Sequence, residues 1–228
     1  MPRGTFEREL ERLQGELLIL GSMVQEALVE SMDALKRQDL ERARQVIAGD
    51  RLVNERRFAI EADVLALIAT QQPMASDLRV LASVLEIATE LERIGDYAKG
   101  NARINLLIGA GRLIKPLIDL PLMAETVRDM LHRSLEAFVR RDTGLALEVA
   151  AVDSQVDALY NQIYRELLTF IACDARIIEQ TTQLLWVAHN LERSADRVTN
   201  ICERVVFTVT GRLSELDGPE DQGIEGLA

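Results

Sequence analysis

The chain of 228 residues carries 37 acids against 26 bases, a formal net charge of −11, with 48% hydrophobic and only 4% aromatic residues. Such an acidic balance lacks the basic face that displaces counterions from a phosphate backbone, which excludes nucleic acid as a partner. Two cysteines, Cys173 and Cys202, cannot form a disulfide framework, and no run approaches the ~18 uncharged apolar residues of a membrane span. The N-terminal stretch Met1-Pro2-Arg3-Gly4-Thr5 has no apolar core and does not read as a secretory signal, so a soluble, cytoplasmic protein without membrane insertion is expected. Few aromatics and prolines, with many Leu, Ala, Arg and Glu, favour helix over strand.

Prolines fall at Pro2, Pro73, Pro116, Pro121 and Pro219, and helices can run between them. Leu10, Leu13, Leu17, Leu20, Val24, Leu28 and Leu35 step by three and four, the face of a first helix. After a turn at Gln38-Asp39, Asp39 is an N-cap for a second helix that reaches about Thr70. Gln71-Gln72-Pro73 breaks it, and a third helix runs from about Met74 to beyond Arg103. Gly109, Gly111, Pro116 and Pro121 mark a linker. Three more helices follow, from about Leu122 to Arg141, from Thr143 to Cys173 and from Ala175 to about Thr210.

The second half repeats the first. Leu91-Glu92-Arg93-Ile94-Gly95-Asp96 returns as Leu191-Glu192-Arg193-Ser194-Ala195-Asp196, one hundred residues on. Asp39 and Asp50 match Asp142 and Asp153 at an offset of 103, and the three-residue difference falls in the break between second and third helices. A gap confined to a loop is the mark of a structural repeat. The expected fold is all-α, two tandem three-helix bundles, with the first over 1–108, a linker over 109–121, the second over 122–212 and an acidic, disordered tail over 213–228.

Acids fall on core-directed faces. Asp50, Asn54 and Glu61 lie within the stripe of Ala43, Val46, Ile47, Val53, Val64, Leu65 and Ile68. Asp153 and Asp157 lie within that of Val149, Ala150, Val156, Tyr160, Leu167, Leu168 and Ile171. Glu92 and Asp96 continue the row Leu78, Leu81, Leu85, Ala88, and Glu192 and Asp196 continue Ile178, Leu185, Ala188. Residues four apart share a helix face, so each half offers acidic pairs one turn apart. Converging carboxylates need compensation, and bound cations of the Mg²⁺, Ca²⁺, Mn²⁺ or iron type are one answer. The other is solvent, or neutralisation by arginines such as Arg93, Arg193 and Arg197.

The remaining signals are bland. His189 precedes Glu192 by three residues and is a ligand, a supporting group or an edge-of-core histidine; His132 points away from its helix's apolar face. Cys173 and Cys202 read as packed thiols and Trp186 as packing at a bundle or dimer interface. No phosphate-cradling glycine motif, Gly-x-Ser-x-Gly or Cys-x-x-Cys is present, so no catalytic residue or organic cofactor site is assigned.

From Gln71-Gln72-Pro73 through Asp77-Leu78-Arg79, at Leu91-Glu92-Arg93-Ile94-Gly95-Asp96-Tyr97-Ala98, at Asn190-Leu191-Glu192-Arg193, and at Asp196, Asn200 and Val209-Thr210-Gly211, the chain resembles the PhoU family of bacterial phosphate-uptake regulators, over about residues 5–211. The resemblance implies a cytoplasmic, often dimeric regulator that is not an enzyme. It also implies multinuclear metal sites built from Glu/Asp-x-x-x-Asp motifs. Carried over, these are Glu92 with Asp96, Glu192 with Asp196 and Asp153 with Asp157, while Asp50 stands alone because Asn54 replaces its partner. Iron or zinc is the implied metal, with Mn or Mg also compatible with carboxylates. The implied partners are the ATPase of the phosphate ABC transporter and a sensor histidine kinase, with negative regulation of phosphate-starvation signalling as the outcome. Two alternatives are a carboxylate-bridged oxidase of ferritin-like style and a metal-free helical scaffold. The oxidase usually draws on Glu-x-x-His pairs, which this chain lacks.

Overall fold

Leucines at helical spacing define the first element. In the computed structural model, which describes residues 3–111 and 113–216, α1 (Arg3–Arg37) buries every apolar residue of the expected face from Leu10 to Leu35. It turns through Gln38, at a left-handed φ of 55°, into α2 (Leu40–Gln71), where the Asp39 carboxylate accepts from the Arg42 N–H at 2.9 Å. The matching turn passes through Arg141, φ 54°, and the Asp142 carboxylate accepts from the Leu145 N–H at 3.0 Å. Both copies thus end one helix in a left-handed residue and open the next with an aspartate cap. Ser31 and its counterpart Ser134, both buried, each donate back to a leucine carbonyl of the preceding turn, at 2.7 and 2.9 Å.

α2 ends at Gln72, again left-handed, before Pro73, and α3 (Ala75–Ile108) follows. The second half comprises α4 (Asp119–Arg140), α5 (Thr143–Ala150), α6 (Asp153–Cys173) and α7 (Ile178–Thr210), with a 3₁₀ turn at Ala175–Ile177. α4 begins three residues before the expected Leu122, since Pro121 in the first turn forfeits no helical hydrogen bond. The single helix expected from Thr143 to Cys173 is broken at Ala151–Val152. There the Val152 N–H donates to the Val149 carbonyl at 3.0 Å and the Gln155 N–H to the Val152 carbonyl at 2.9 Å, tightening the ladder to three-residue bonds. Ser154 Oγ donates to the Ala151 carbonyl at 3.0 Å, the back-bonding that bends helices.

The helices meet their own counterparts: α3 packs along α7, and α1 packs on α4. α2 flanks α1 and α3, while α5 and α6 flank α4 and α7. A continuous hydrophobic core runs from Leu10 of α1 through Leu91 of α3 and Phe138 of α4 to Val205 of α7. The connector is held down by side chains: Gln180 Oε1 accepts from the Ile114 N–H at 2.7 Å, and the nearly buried Lys115 donates to Asp119 and Glu166. Leu65, Leu78, Leu168 and Ile178, expected on core rows, are exposed. These are matched positions of the two halves, flanking the break after α2 or α6, where a row drifting by ~20° per heptad has left the seam. Cys173 is likewise exposed rather than packed, at the end of α6, whereas Cys202 is buried, and both are free thiols. From residue 217 the expected tail lies outside the described residues.

Polar groups also cross the α3–α7 seam. Glu90 accepts from Arg197 Nη1 at 3.4 Å and Asn200 Nδ2 at 3.3 Å; Asn190 Nδ2 donates to Asn101 Oδ1 at 2.9 Å. A Cβ on Gly100 would stand 3.1 Å from Asn190 Nδ2, so glycine permits this approach. Because Glu90 and Arg197 are both largely withdrawn from water, Glu90→Ala leaves a guanidinium without its carboxylate. Urea unfolding of Glu90→Ala will show a loss of about 2–4 kcal/mol, larger than that of Glu90→Gln.

Candidate metal centre

In the first half, α2 supplies Asp50 and α3 supplies Glu92 and Asp96. Asp50 is almost buried, and its carboxylate accepts from Lys99 Nζ at 2.7 Å and from Asn54 Nδ2 at 3.2 Å, one helical turn on. The same ammonium reaches Asp96, which is half exposed, at 3.1 Å. The hydrogen bond from Asp50 is the main reason that the Lys99 pKa is raised. Glu92 titrates above the ordinary carboxylate range, chiefly because burial removes water and then because Asp96 lies close, with Arg57 opposing and Asp50 adding to the rise. These three acids therefore share one locus, in which Lys99 and Arg57 are the counter-charges. Glu61, on the expected stripe, instead pairs with Arg57 at 3.2 Å, toward solvent.

The second half gathers four acids between α6 and α7. Glu192 is pushed up to about 7, first by desolvation, then by Asp196 and Asp157, with Arg193 opposing and Asp153 adding to the rise. Its Oε2 is buried without a hydrogen bond, although His189 Nδ1 stands 3.4 Å away. Asp196 pairs with Arg193 at 3.0 Å, and Arg193 is also hydrogen-bonded to Tyr97 of α3, which ties this site to the seam. Burial and then Glu192 raise the Tyr160 pKa, placing that phenol against the cluster. Trp186, expected in an interface, is largely exposed and meets the His189 ring edge-on at 5.6 Å.

Fold and electrostatics bring Asp50, Glu92 and Asp96 together in one half and Asp153, Asp157, Glu192 and Asp196 in the other. Ready-made coordination is another matter: among the described residues no three His, Cys, Asp or Glu side chains stand in an arrangement that grips one ion. The donor set still fits an oxygen-liganded cation, because the buried Glu192 Oε2 lacks a donor and its neighbours are carboxylates. Lys99 and Arg57 carry much of the electrostatics of the first locus, and sequence inspection passes over them because attention rests on the acids. Extending the repeat alignment one turn beyond each acidic pair would have picked out both.

The sequence model described as the PhoU domain matches the chain twice, over residues 17–104 and 120–205. The chain belongs to the PhoU domain family. It is 37% identical to the phosphate-specific transport system accessory protein PhoU homolog of Clostridium acetobutylicum, over 95% of this chain and all of that one. It is 35% identical to the phosphate-specific transport system accessory protein PhoU of Escherichia coli, over 92% and 87% of the two chains. Its fold matches the crystal structure of PhoU from Pseudomonas aeruginosa with a TM-score of 0.86 at 34% identity, covering 91% of this chain and all of that one. For the phosphate transport system regulatory protein PhoU from Streptococcus pneumoniae the TM-score is 0.82 at 32% identity, covering 92% and 99%.

A carboxyl raised from 4.5 to about 7 binds its proton more tightly in the folded chain, so its ionisation destabilises the fold above that range. The penalty is complete at alkaline pH and fades as pH falls from about 7 toward 4.5. In chelated, metal-free protein, Glu192→Gln will therefore raise stability at pH 8 by about 1–2 kcal/mol, after allowance for solvent screening. The gain will be mostly gone at pH 5, as followed by thermal melts across the range.

Proposed function

We propose that this chain is a cytoplasmic, metal-binding adaptor that negatively regulates phosphate uptake and the phosphate-starvation response. In this role a homodimer links the ATPase of the phosphate ABC transporter to a membrane sensor histidine kinase. The observation that carries the reading is the end-to-end match to proteins named as accessory to the phosphate-specific transport system, spanning 95% of this chain and all of one such relative. Among the described residues no helix is long and apolar enough to cross a membrane, which agrees with a protein that works beside a transporter rather than within it.

Asp153, Asp157, Glu192 and Asp196 would hold iron or zinc in this reading, and Asp50, Glu92 and Asp96 are the corresponding set in the first half. A bound cation would add positive charge among four converging carboxylates. The chain's own part is to hold those carboxylates on two packed helices, with Arg193 orienting Asp196 and His189 standing beside Glu192. Adaptor work asks no catalysis of these groups.

Two measurements test this. In the chain's own host, deletion of its gene will raise a phosphate-repressible reporter and phosphate uptake in phosphate-rich medium, and a plasmid copy will restore repression; unaltered repression in the deletion strain overturns the adaptor role. Elemental analysis of protein purified without chelators will find iron or zinc, and Glu192→Ala with Asp196→Ala will lower that content by about tenfold or more. Metal-free wild-type protein, or metal unchanged in the double variant, overturns the metal assignment alone.

A further inference from the structure

Between α1 and α2 lies a cavity of about 350 Å³, a size within the range of small-molecule sites. Its apolar wall comes from Met23, Val46 and Val53. Three acids also line it, Glu26, Glu30 and Asp50, and among the described residues no lysine, arginine or histidine does. Gly49, another lining residue, sits inside α2, where glycine weakens a helix. No close approach requires it, since a Cβ at Gly49 would meet nothing within 4 Å.

The second half spends the same register differently. At the offset of 103, Ala27, which also lines the cavity, corresponds to Met130, and Gly49 corresponds to Val152. Met130 is buried, and Val152 packs against the core. Glu30 and Gln45 correspond to Arg133 and Glu148, which pair at 3.2 Å between α4 and α5. Larger apolar side chains and an ion pair thus stand where the first half keeps alanine, glycine and an acid.

Asp50 is the most withdrawn of the lining acids, its side chain only 10% exposed. Lys99 and Asn54 both donate to its Oδ2, while its Oδ1 is buried without a hydrogen bond. Across the cavity on α1, Glu30 is met by Arg42, and Glu26 stands one turn earlier, exposed. We infer that this cavity binds a small aliphatic amine, above all a diamine, with its alkyl chain on Met23, Val46 and Val53. An ammonium offers three donors and no acceptor, which suits carboxylate surroundings. Because the acids stand on both helices, an amine at each end of a short chain meets both walls. A bare metal ion would gain nothing from the apolar wall, so this site differs in chemistry from the locus with which it shares Asp50.

The test uses the full chain, freed of metal and in low salt, with 1,4-diaminobutane, butylamine and 1-butanol as probes. Binding is read by calorimetry and by the rise in melting temperature. The diamine will bind saturably, the monoamine more weakly and the alcohol least. Gly49→Val and Ala27→Met, which place the second half's side chains in the cavity, will each weaken diamine binding by about tenfold or more. Gly49→Val will not lower the melting temperature of the unliganded chain, since valine is the better helix former, and it carries the test should Ala27→Met fold poorly. Glu26→Gln will weaken binding by about two- to fivefold. Glu55→Gln, which removes an exposed acid outside the cavity, will leave it unchanged. Failure of both amines to bind, equal binding of alcohol and diamine, or diamine binding undiminished in Gly49→Val overturns the site. Equal loss in Glu55→Gln and Glu26→Gln overturns it too, as the mark of attraction to net charge alone. Binding of a lysine-bearing peptide where free amines do not bind also overturns it, making the cavity a seat for a partner's side chain.

Discussion

The packing of α3 along α7 is the constraint on which the rest of the molecule depends, because it joins the third helices of the two halves within one continuous core. Val84, Ile87, Leu91 and Ile94 on α3, with Leu184, Val187, Leu191 and Val198 on α7, are all removed from water in the assembled chain. At roughly 1.5–3 kcal/mol for a fully buried aliphatic side chain, such a set outweighs the ion pairs on the surface. The seam also fixes rotation. Once those residues face inward, the flank carrying Glu92 and Asp96, or Glu192 and Asp196, is turned toward the outer helix of its own half. The acids are thus placed by hydrophobic packing that does not involve them.

Their placement has an energetic consequence that each half meets in its own way. Carboxylates drawn together and partly out of water repel one another, and the repulsion has to be offset by protons, by fixed cations or by ions from solution. The first locus uses fixed cations, Lys99 and Arg57. The second has Arg193 at its margin and His189 beside Glu192, and otherwise holds Glu192 where its affinity for a proton is abnormally high. A counter-charge placed beside such a group would compete with that proton.

Periodicity made the fold legible. The proline-free stretches, the aspartates opening α2 and α5 and the offset of the repeat gave helix order, since each rests on local rules that hold wherever the helix lies; that α3 packs along α7 and α1 on α4 came only from the structure. The break at Ala151–Val152 was illegible, because neither residue is a helix breaker and the tightening comes from Ser154 folding back on a carbonyl. Exposure at Leu65, Leu78, Leu168 and Ile178 was illegible for another reason: a wheel assigns a face, but only the packed bundle shows where along the helix that face loses its neighbours. At the site, i,i+4 spacing gave the acids correctly as neighbours on their helices. It could not give the approach of Lys99 to Asp50, forty-nine residues away and on another helix.

That the first and third helices of each half meet their own counterparts, α1 with α4 and α3 with α7, is the pattern of an isologous interface, the kind formed by two identical subunits about a two-fold axis. Between separate identical subunits any substitution appears twice, so a lysine introduced at one locus is introduced at both. Joining the halves into one chain removes that restriction. Lys99 can then stand one turn beyond Asp96 while Thr199 stands one turn beyond Asp196, and a pseudo-symmetric core comes to carry two chemically unequal ends.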